Sequence, residues 1–198
     1  MNQIIFHIIF AFSFIAMFVL RMYYGRKARR SRSDVQVIEG KLNMAVRALF
    51  GLGYITVLWV YVFVPGWFDW AAIAFPNWLR WVGALISVGS VLLLWWVQRA
   101  LDVQFDTTLH IQANHQLITH GPYRWVRHPM YTTLFSMGLG WFLLTANWLV
   151  GVPLMLGITL VVISRVRKEE AVLLNLFGDE YQTYLQRTGR FLPRWSRS

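Results

Sequence analysis

Apolar residues are concentrated in five stretches of the chain, and polar or charged residues fill the segments between them. The five stretches are Ile4 to Leu20, Phe50 to Val64, Leu79 to Val97, Thr132 to Thr145 and Trp148 to Ile163. A helix needs about 20 apolar residues to cross a typical hydrocarbon core. The pattern therefore predicts an all-α integral membrane protein with about five transmembrane helices.

The last two stretches are shorter than the others and are separated only by Ala146 and Asn147. They predict a short helical hairpin that turns at Asn147 and is lengthened by flanking residues. Gly178 interrupts the polar segment that follows, and Arg190-Phe-Leu-Pro-Arg-Trp195 ends it. This segment predicts a cytoplasmic amphipathic helix followed by an extended lid on the membrane face.

The composition agrees with a membrane location and excludes several kinds of chemistry. Hydrophobic residues make up 57% of the 198 residues, and aromatic residues make up 17%. A single soluble domain of this size is less apolar than that. Because there is no cysteine, disulfides, thiolate metal sites and cysteine nucleophiles are excluded. The sequence predicts no metal site of any other kind.

The formal net charge of +10 arises from residues beside the apolar stretches, where cations meet anionic lipid headgroups. This placement predicts the lipid bilayer as a partner and argues against nucleic acid. Of the 19 Lys and Arg residues, 18 lie in the first loop, the third loop and the tail, and only Arg80 lies on the other side. The positive-inside rule then predicts an N-terminus outside and a cytoplasmic C-terminus.

The first candidate site is the polar segment from His115 to Tyr131, on the predicted cytoplasmic side. Pro129 suits the first position of a helix, which places Arg127 and His128 beside amides that have no intrahelical partner. Helix N-termini attract anions. The segment therefore predicts a site able to hold a carboxylate.

The second candidate site is Ser164-Arg-Val-Arg-Lys-Glu-Glu170, at the inner end of the fifth stretch. Arg165 and Glu169 are four residues apart and share one helix face. An ordinary ion pair within the helix is the alternative interpretation. However, orientation in the membrane requires only positive charge, so it does not explain the carboxylates of Glu169 and Glu170 in this basic segment.

In order along the chain, these motifs resemble the isoprenylcysteine carboxyl methyltransferase family, whose members are membrane-embedded and related to the phospholipid methyltransferases. The motifs are Gly121-Pro-Tyr123, Arg127-His-Pro-Met-Tyr131, the Glu169-Glu170 pair, and Phe177-Gly-Asp-Glu-Tyr181 with Tyr184. The resemblance covers roughly His115 to Pro193. We therefore expect one integrated domain with two parts. Residues 1–97 form three N-terminal helices with a basic loop at 21–47, and residues 98–198 form the methyltransferase core.

The resemblance implies S-adenosylmethionine as the methyl donor, held between the fourth and fifth helices on the cytoplasmic side. The implied cofactor-binding residues are His115, Leu117, Ile118, Tyr123, His128, Pro129, Met130, Tyr131, Gly138, Gly140, Glu169 and Glu170. Arg165 and Glu169 are the implied catalytic residues, with Arg165 facing the acceptor. For Gly138 and Gly140, close helix packing is an equally good interpretation.

The acceptor is expected to be lipophilic, but the sequence leaves its chemistry open. A carboxylate is ionised at neutral pH and would need only an arginine to orient it, a role that suits Arg165. An amine would have to lose a proton, and Glu170 would be the nearest candidate base. A small thiol, a membrane reductase that uses NADPH and a non-catalytic membrane scaffold are the remaining alternatives.

Overall fold

The computed structural model describes residues 2–30, 36–37, 41–101, 110–111 and 117–194. The α-helices are α1 (Asn2–Arg30), α2 (Lys41–Phe63), α3 (Asn77–Leu101), α4 (Pro129–Thr145) and α5 (Trp148–Arg187). Pro65–Ala71 and Gly121–Arg124 form 3-10 turns. Two short antiparallel strands, β1 (Gln36–Val37) and β2 (His110–Ile111), join the segments that follow α1 and α3. The predicted all-α fold is confirmed, although the sequence did not predict the strand pair.

Within the described ranges, four helices, α1, α2, α3 and α5, are long and apolar enough to cross a membrane. The mean hydropathy of their apolar windows lies between 1.6 and 2.4, so the chain is an integral membrane protein. Helix α4 has only 17 residues, fewer than a typical span needs. The fourth predicted span is therefore a short helix packed against its longer neighbours.

Helix α5 has 40 residues, and its part before Gly178 is about 45 Å long at 1.5 Å per residue, which exceeds the thickness of a hydrocarbon core. Its apolar part ends near Ile163, and the charged part from Arg165 onward extends beyond the membrane. Gly178 interrupts the helix with φ 49° and ψ −122°, a backbone conformation that glycine adopts without steric cost. The predicted break at Gly178 is confirmed.

The turn between α4 and α5 consists of two residues. Ala146 adopts a left-handed conformation, with φ 52°, and Asn147 caps α5 by accepting a hydrogen bond of 3.1 Å from the Leu149 amide. The Asn147 side-chain amide also donates to the Phe68 carbonyl, at 2.7 Å, in the turn between α2 and α3. The predicted hairpin at Asn147 is confirmed, and it is anchored to the neighbouring loop.

Glycines allow α3, α4 and α5 to approach closely. A Cβ atom on Gly83 of α3 would lie 2.3 Å from the Leu144 amide nitrogen of α4, and one on Gly140 would lie 2.8 Å from the Ser87 amide nitrogen. These two contacts define an antiparallel register between α3 and α4. Helix α3 therefore packs directly against α4, which belongs to the predicted methyltransferase core.

Helix α1 packs against α4 through aromatic side chains. Phe10 and Phe14 are fully buried against the Trp141 ring, with centroids 5.5 and 6.0 Å from it. The Trp141 indole donates a hydrogen bond of 2.9 Å to the Ser13 hydroxyl, which satisfies its only donor. This apolar core fixes the position of α4, and α4 carries the first cluster of polar residues at its opposite end.

Candidate active site

Helix α4 begins at Pro129, as predicted, and His128 occupies the N-cap position. The His128 side chain makes no capping hydrogen bond to the first turn. The first amides of a helix have no partner within the helix, and together with the helix dipole they attract negative groups. The start of α4 is therefore a suitable place for an anionic ligand group.

The C-terminal tail crosses the start of α4 as an extended segment. The Gly189 amide donates to the Trp125 carbonyl at 3.0 Å, and the Arg127 amide donates to the Gly189 carbonyl at 2.9 Å. The His128 amide donates to the Arg190 carbonyl at 3.0 Å. These bonds pair the tail with the residues immediately before α4 and leave the amides of the first turn of α4 itself without a partner from the described part of the tail.

Two further features hold the tail in this path. The Thr132 hydroxyl of α4 donates to the Phe191 carbonyl at 2.7 Å. Gly189 has no room for a side chain, because a Cβ atom there would lie 1.8 Å from the Leu192 carbonyl oxygen. The tail is thus fixed to α4 through its backbone as well as through side chains.

Glu170 of α5 connects the residues before α4 with the tail. Its carboxylate lies 3.2 Å from Arg127 Nε, 3.2 Å from His128 Nε2 and 3.1 Å from Arg190 Nε, and Arg190 Nη2 forms a second contact. Burial alone would raise the pKa of the Glu170 carboxyl, but its contacts with His128 and Arg190 lower this pKa to about 2. Glu170 is therefore ionised, fully engaged and a weak base.

Glu169, the neighbouring carboxylate, points to a different partner. It accepts a hydrogen bond of 3.0 Å from the Tyr131 hydroxyl in the first turn of α4. The structure thus brings together the two candidate sites of the sequence, which lie 38 residues apart. The two adjacent carboxylates of α5 therefore have different partners: Glu169 contacts α4, and Glu170 contacts the tail.

Arg165 lies one helical turn before Glu169, and it is buried, with 8% of its surface exposed. Its charge lies near enough to Tyr131 to act on that hydroxyl. By contrast, Arg167, two residues later, is exposed to solvent. A guanidinium held inside the protein next to the Tyr131 and Glu169 pair is suited to orienting an anionic group.

Tyrosines of the last turns of α5 anchor this end of the site. The Tyr184 hydroxyl donates to the Tyr123 carbonyl at 2.7 Å, in the 3-10 turn that precedes α4. Tyr181 is 1% exposed, and its ring centroid lies 5.9 Å from that of Tyr184. The motif that follows Gly178 therefore docks onto the Gly121–Arg124 turn.

An apolar group lies beside the start of α4. Tyr123 packs with Val97 and Ala100 of α3, and the half-buried Ile118 and Met130 cover this cluster. Such surroundings exclude water from one side of the site, which strengthens polar interactions on the other side.

The structure brings together most of the predicted site residues that it describes. His128, Pro129, Tyr131, Arg165, Glu169 and Glu170 converge on the start of α4, and Ile118, Tyr123 and Met130 form its apolar side. Leu117, which precedes Ile118 in the chain, is half-buried. His115 lies outside the described residues.

Gly138 and Gly140 lie where α4 packs closely against its neighbours, and their assignment to the cofactor stays a prediction. A Cβ atom on Gly138 would lie 2.9 Å from Met155 and 3.2 Å from the Gly151 carbonyl oxygen of α5. A Cβ atom on Gly140 would meet Ser87 of α3. Each glycine therefore lies against a neighbouring helix, as the alternative interpretation of close helix packing requires.

Sequence reasoning missed the tail partners of the site. Arg190 and Thr132 were not candidates, and Arg127 was considered only as part of the helix start. The one available signal was the presence of two carboxylates in a basic segment, which implied cationic partners. It could not indicate which of the 19 basic residues they would be.

Comparison with known proteins agrees with this architecture. The family model described as phospholipid methyltransferase matches residues 78–180, slightly more than half of the chain. The solved structure of the eukaryotic intramembrane Ras methyltransferase ICMT (isoprenylcysteine carboxyl methyltransferase) superposes with a TM-score of 0.52. That similarity covers 79% of this chain and 54% of the other, at 24% identity, and shows a shared fold.

Curated relatives are similar over a shorter region. Protein-S-isoprenylcysteine O-methyltransferases of Tribolium castaneum and Homo sapiens are each 35% identical to the chain, over 41% and 40% of its length. A probable enzyme of the same name from Oryza sativa subsp. indica is 35% identical over 43% of the chain. The matched region spans 29%, 28% and 44% of these three proteins, less than half of each. The resemblance inferred from the motifs is confirmed.

Proposed function

The chain belongs to the phospholipid methyltransferase family, and we propose that it transfers a methyl group from S-adenosylmethionine to a lipophilic acceptor. The observation that carries this proposal is the hydrogen bond between Tyr131 and Glu169, with the buried Arg165 one turn away. Together with the uncapped start of α4, these residues place a carboxylate, an aromatic hydroxyl and a cation within one site.

The residues fit the donor in chemical terms. S-adenosylmethionine carries a sulfonium, an ammonium and a carboxylate, and when bound it supplies an electrophilic methyl group. Glu169 and the ring of Tyr131 suit its positive groups, and the first amides of α4 suit its carboxylate. We assign donor contacts to His115, Leu117, Ile118, Tyr123, His128, Pro129, Met130, Tyr131 and Glu169.

Glu170 has a different role in this proposal from the one the sequence implied. Its carboxylate is engaged by Arg127, His128 and Arg190, so it has no free oxygen to offer a ligand. It orients His128 and holds the tail against the start of α4. Methyl transfer gains most from alignment and from exclusion of water, and the tail contributes to both.

A carboxylate is the acceptor that the site suits best, as in isoprenylcysteine carboxyl methylation. It reacts in its ordinary ionised form, and Arg165 can orient it through two parallel hydrogen bonds. An amine must first lose a proton, and the pKa of Glu170, lowered to about 2, makes that residue a poor base. Neither a reductase nor a scaffold is favoured by a specific contact among the described residues.

We also propose that the site faces the cytoplasm and that the acceptor reaches it from the bilayer. The start of α4 lies at the same end of the bundle as the charged part of α5 and the end of α1, where the basic residues are concentrated. Positive charge marks the cytoplasmic side of membrane proteins. A lipophilic acceptor with an anionic end would meet Arg165 where α5 leaves the apolar layer.

The decisive experiment supplies purified protein in liposomes with S-adenosylmethionine labelled in its methyl group. The acceptors offered are a prenylated cysteine with a free carboxylate, its methyl ester and an ethanolamine phospholipid, and products are identified by mass spectrometry. We expect label on the free carboxylate alone. Label on the phospholipid amine would replace the carboxylate assignment, and binding of NADPH without binding of S-adenosylhomocysteine would contradict the methyltransferase proposal.

A further inference from the structure

Gln98 of α3 is completely buried, with 0% of its surface exposed. Neither its amide nitrogen nor its amide oxygen has a hydrogen-bond partner among the described residues. Buried polar groups in native proteins nearly always have a partner, and each exception needs an explanation. A side chain with two donors and an acceptor, all unsatisfied, is an exception of this kind.

The helix register places Gln98 at the start of α4. Gly83 of α3 lies against Leu144, and Ser87 lies against Gly140, so α3 advances along α4 in antiparallel steps of four residues. Leu94 and Gln98 continue the same buried stripe. Extending the register brings Gln98 level with Pro129, the first residue of α4.

The surroundings explain why the protein itself offers Gln98 no partner. The neighbouring Val97 is fully buried in an apolar cluster with Ala100 and Tyr123, which the partly buried Met130 covers. Met130 also follows Pro129 in the first turn of α4. Pro129 has no N–H group to donate to the Gln98 oxygen, and its carbonyl already accepts a hydrogen bond of 2.7 Å from the Thr133 hydroxyl.

We propose that Gln98 binds the amino-acid end of the methyl donor at the start of α4. A carboxamide can donate to a carboxylate and accept from an ammonium, and the amino-acid end carries both groups. The amides of α4 would share the carboxylate. This inference rests on the proposed function, since it assigns a recognition residue to the same site, but it can fail independently.

The first test compares two ligands that differ in the amino-acid end. S-adenosylhomocysteine has it, and 5′-methylthioadenosine lacks it. We expect Gln98→Met to weaken S-adenosylhomocysteine binding by roughly tenfold or more, because a polar ligand group loses its partner in a sheltered site. Binding of 5′-methylthioadenosine should change less than about twofold. Gln182→Met, at an exposed position of α5, is the matched control and should affect neither ligand.

The second test is the melting temperature of the unliganded protein. Because Gln98 has no partner among the described residues, Gln98→Met and Gln98→Leu should melt at or above the temperature of the wild type. A clear loss of unliganded stability in both variants would assign Gln98 a structural role and overturn the inference.

The two proposals fail in different ways. If wild-type protein binds neither ligand, the methyltransferase proposal fails. If wild-type protein binds S-adenosylhomocysteine and Gln98→Met binds it equally well, only the role of Gln98 is overturned. Equal weakening for both ligands would also overturn it, because the lost contact would then lie on the nucleoside part.

Discussion

The Tyr131 hydroxyl donates a hydrogen bond of 3.0 Å to the Glu169 carboxylate, and this bond connects the first turn of α4 with the charged half of α5. The partners come from opposite sides of the helical hairpin. They are therefore positioned by the packing of α4 against α5, which depends on close contacts such as that between Gly138 and Gly151.

Glu169→Gln should weaken S-adenosylhomocysteine binding by about 5- to 160-fold, because an unmet polar group in a sheltered site costs about 1–3 kcal/mol. Tyr131→Phe should weaken it less, since the carboxylate remains. Isothermal titration calorimetry in detergent measures both, with the exposed Glu180→Gln as control. Unchanged affinity in both variants would remove this pair from the donor site.

Arg165→Lys should leave S-adenosylhomocysteine affinity within about twofold and lower turnover at least roughly tenfold, because an ammonium cannot reproduce the two-pronged geometry of guanidinium on a carboxylate. Turnover is measured as methyl transfer to the prenylated cysteine carboxylate. Arg167→Lys makes the same chemical change at an exposed position and should have no effect. Equal loss in the two variants would assign the effect to helix charge.

Glu170→Gln should lower the melting temperature at pH 7, since it removes the anionic partner of Arg127, His128 and Arg190. The expected loss is about 1–3 kcal/mol. Because the folded-state pKa of Glu170 is lowered to about 2 from an unfolded value near 4.3, its contribution is fully present above the unfolded value. The contribution disappears as pH falls through the folded value.

The difference in melting temperature between wild type and Glu170→Gln should therefore shrink between about pH 4.3 and about pH 2. A difference that stays constant over this window would mean that the carboxylate charge contributes nothing to the network. Glu180→Gln, at an exposed position, supplies the baseline for general acid effects.

Gly140→Ala should destabilise the protein by about 1–3 kcal/mol through overpacking, because a Cβ atom there meets Ser87 of α3 at 2.8 Å. Folded protein should retain its affinity for S-adenosylhomocysteine. Gly53→Ala, where a Cβ atom meets nothing within 4 Å, is the control for stability. A selective loss of affinity without loss of stability would support the assignment of Gly140 to the cofactor site.

The absence of cysteine allows topology to be measured with single cysteines. Asp69→Cys should react with an impermeant maleimide on intact cells, whereas Arg30→Cys and Arg194→Cys should react only after permeabilisation. All three positions are exposed, and the basic residues determine the orientation. The opposite pattern would place the site on the outer side.

The sequence alone predicted the apolar helices, the turn at Asn147, the break at Gly178 and the start of α4 at Pro129. Each of these depends on local chemistry: apolar length, side-chain capping, backbone freedom and the fixed φ of proline. Local chemistry acts between residues that are close in the chain. It therefore can be derived without knowing how the helices pack.

The motifs also identified most of the site, since Tyr131, His128 and Glu169 were all named from their order in the chain. The motifs could not predict which partners Glu169 and Glu170 would each contact. Glu169 and Glu170 are adjacent and identical in type, yet about 100° of helical rotation separates their side chains. One therefore faces α4 and the other faces the tail.

Only the tertiary structure decided the roles of residues whose partners are distant in sequence. It placed Gly140 in close contact with Ser87, joined Glu170 to Arg190 and left Gln98 buried without a partner among the described residues. The physical reason is that helix register and rotation are set by the packing of whole helices. The sequence determined which chemical groups the site can contain, and the packing of α3, α4 and α5 determined which of them meet.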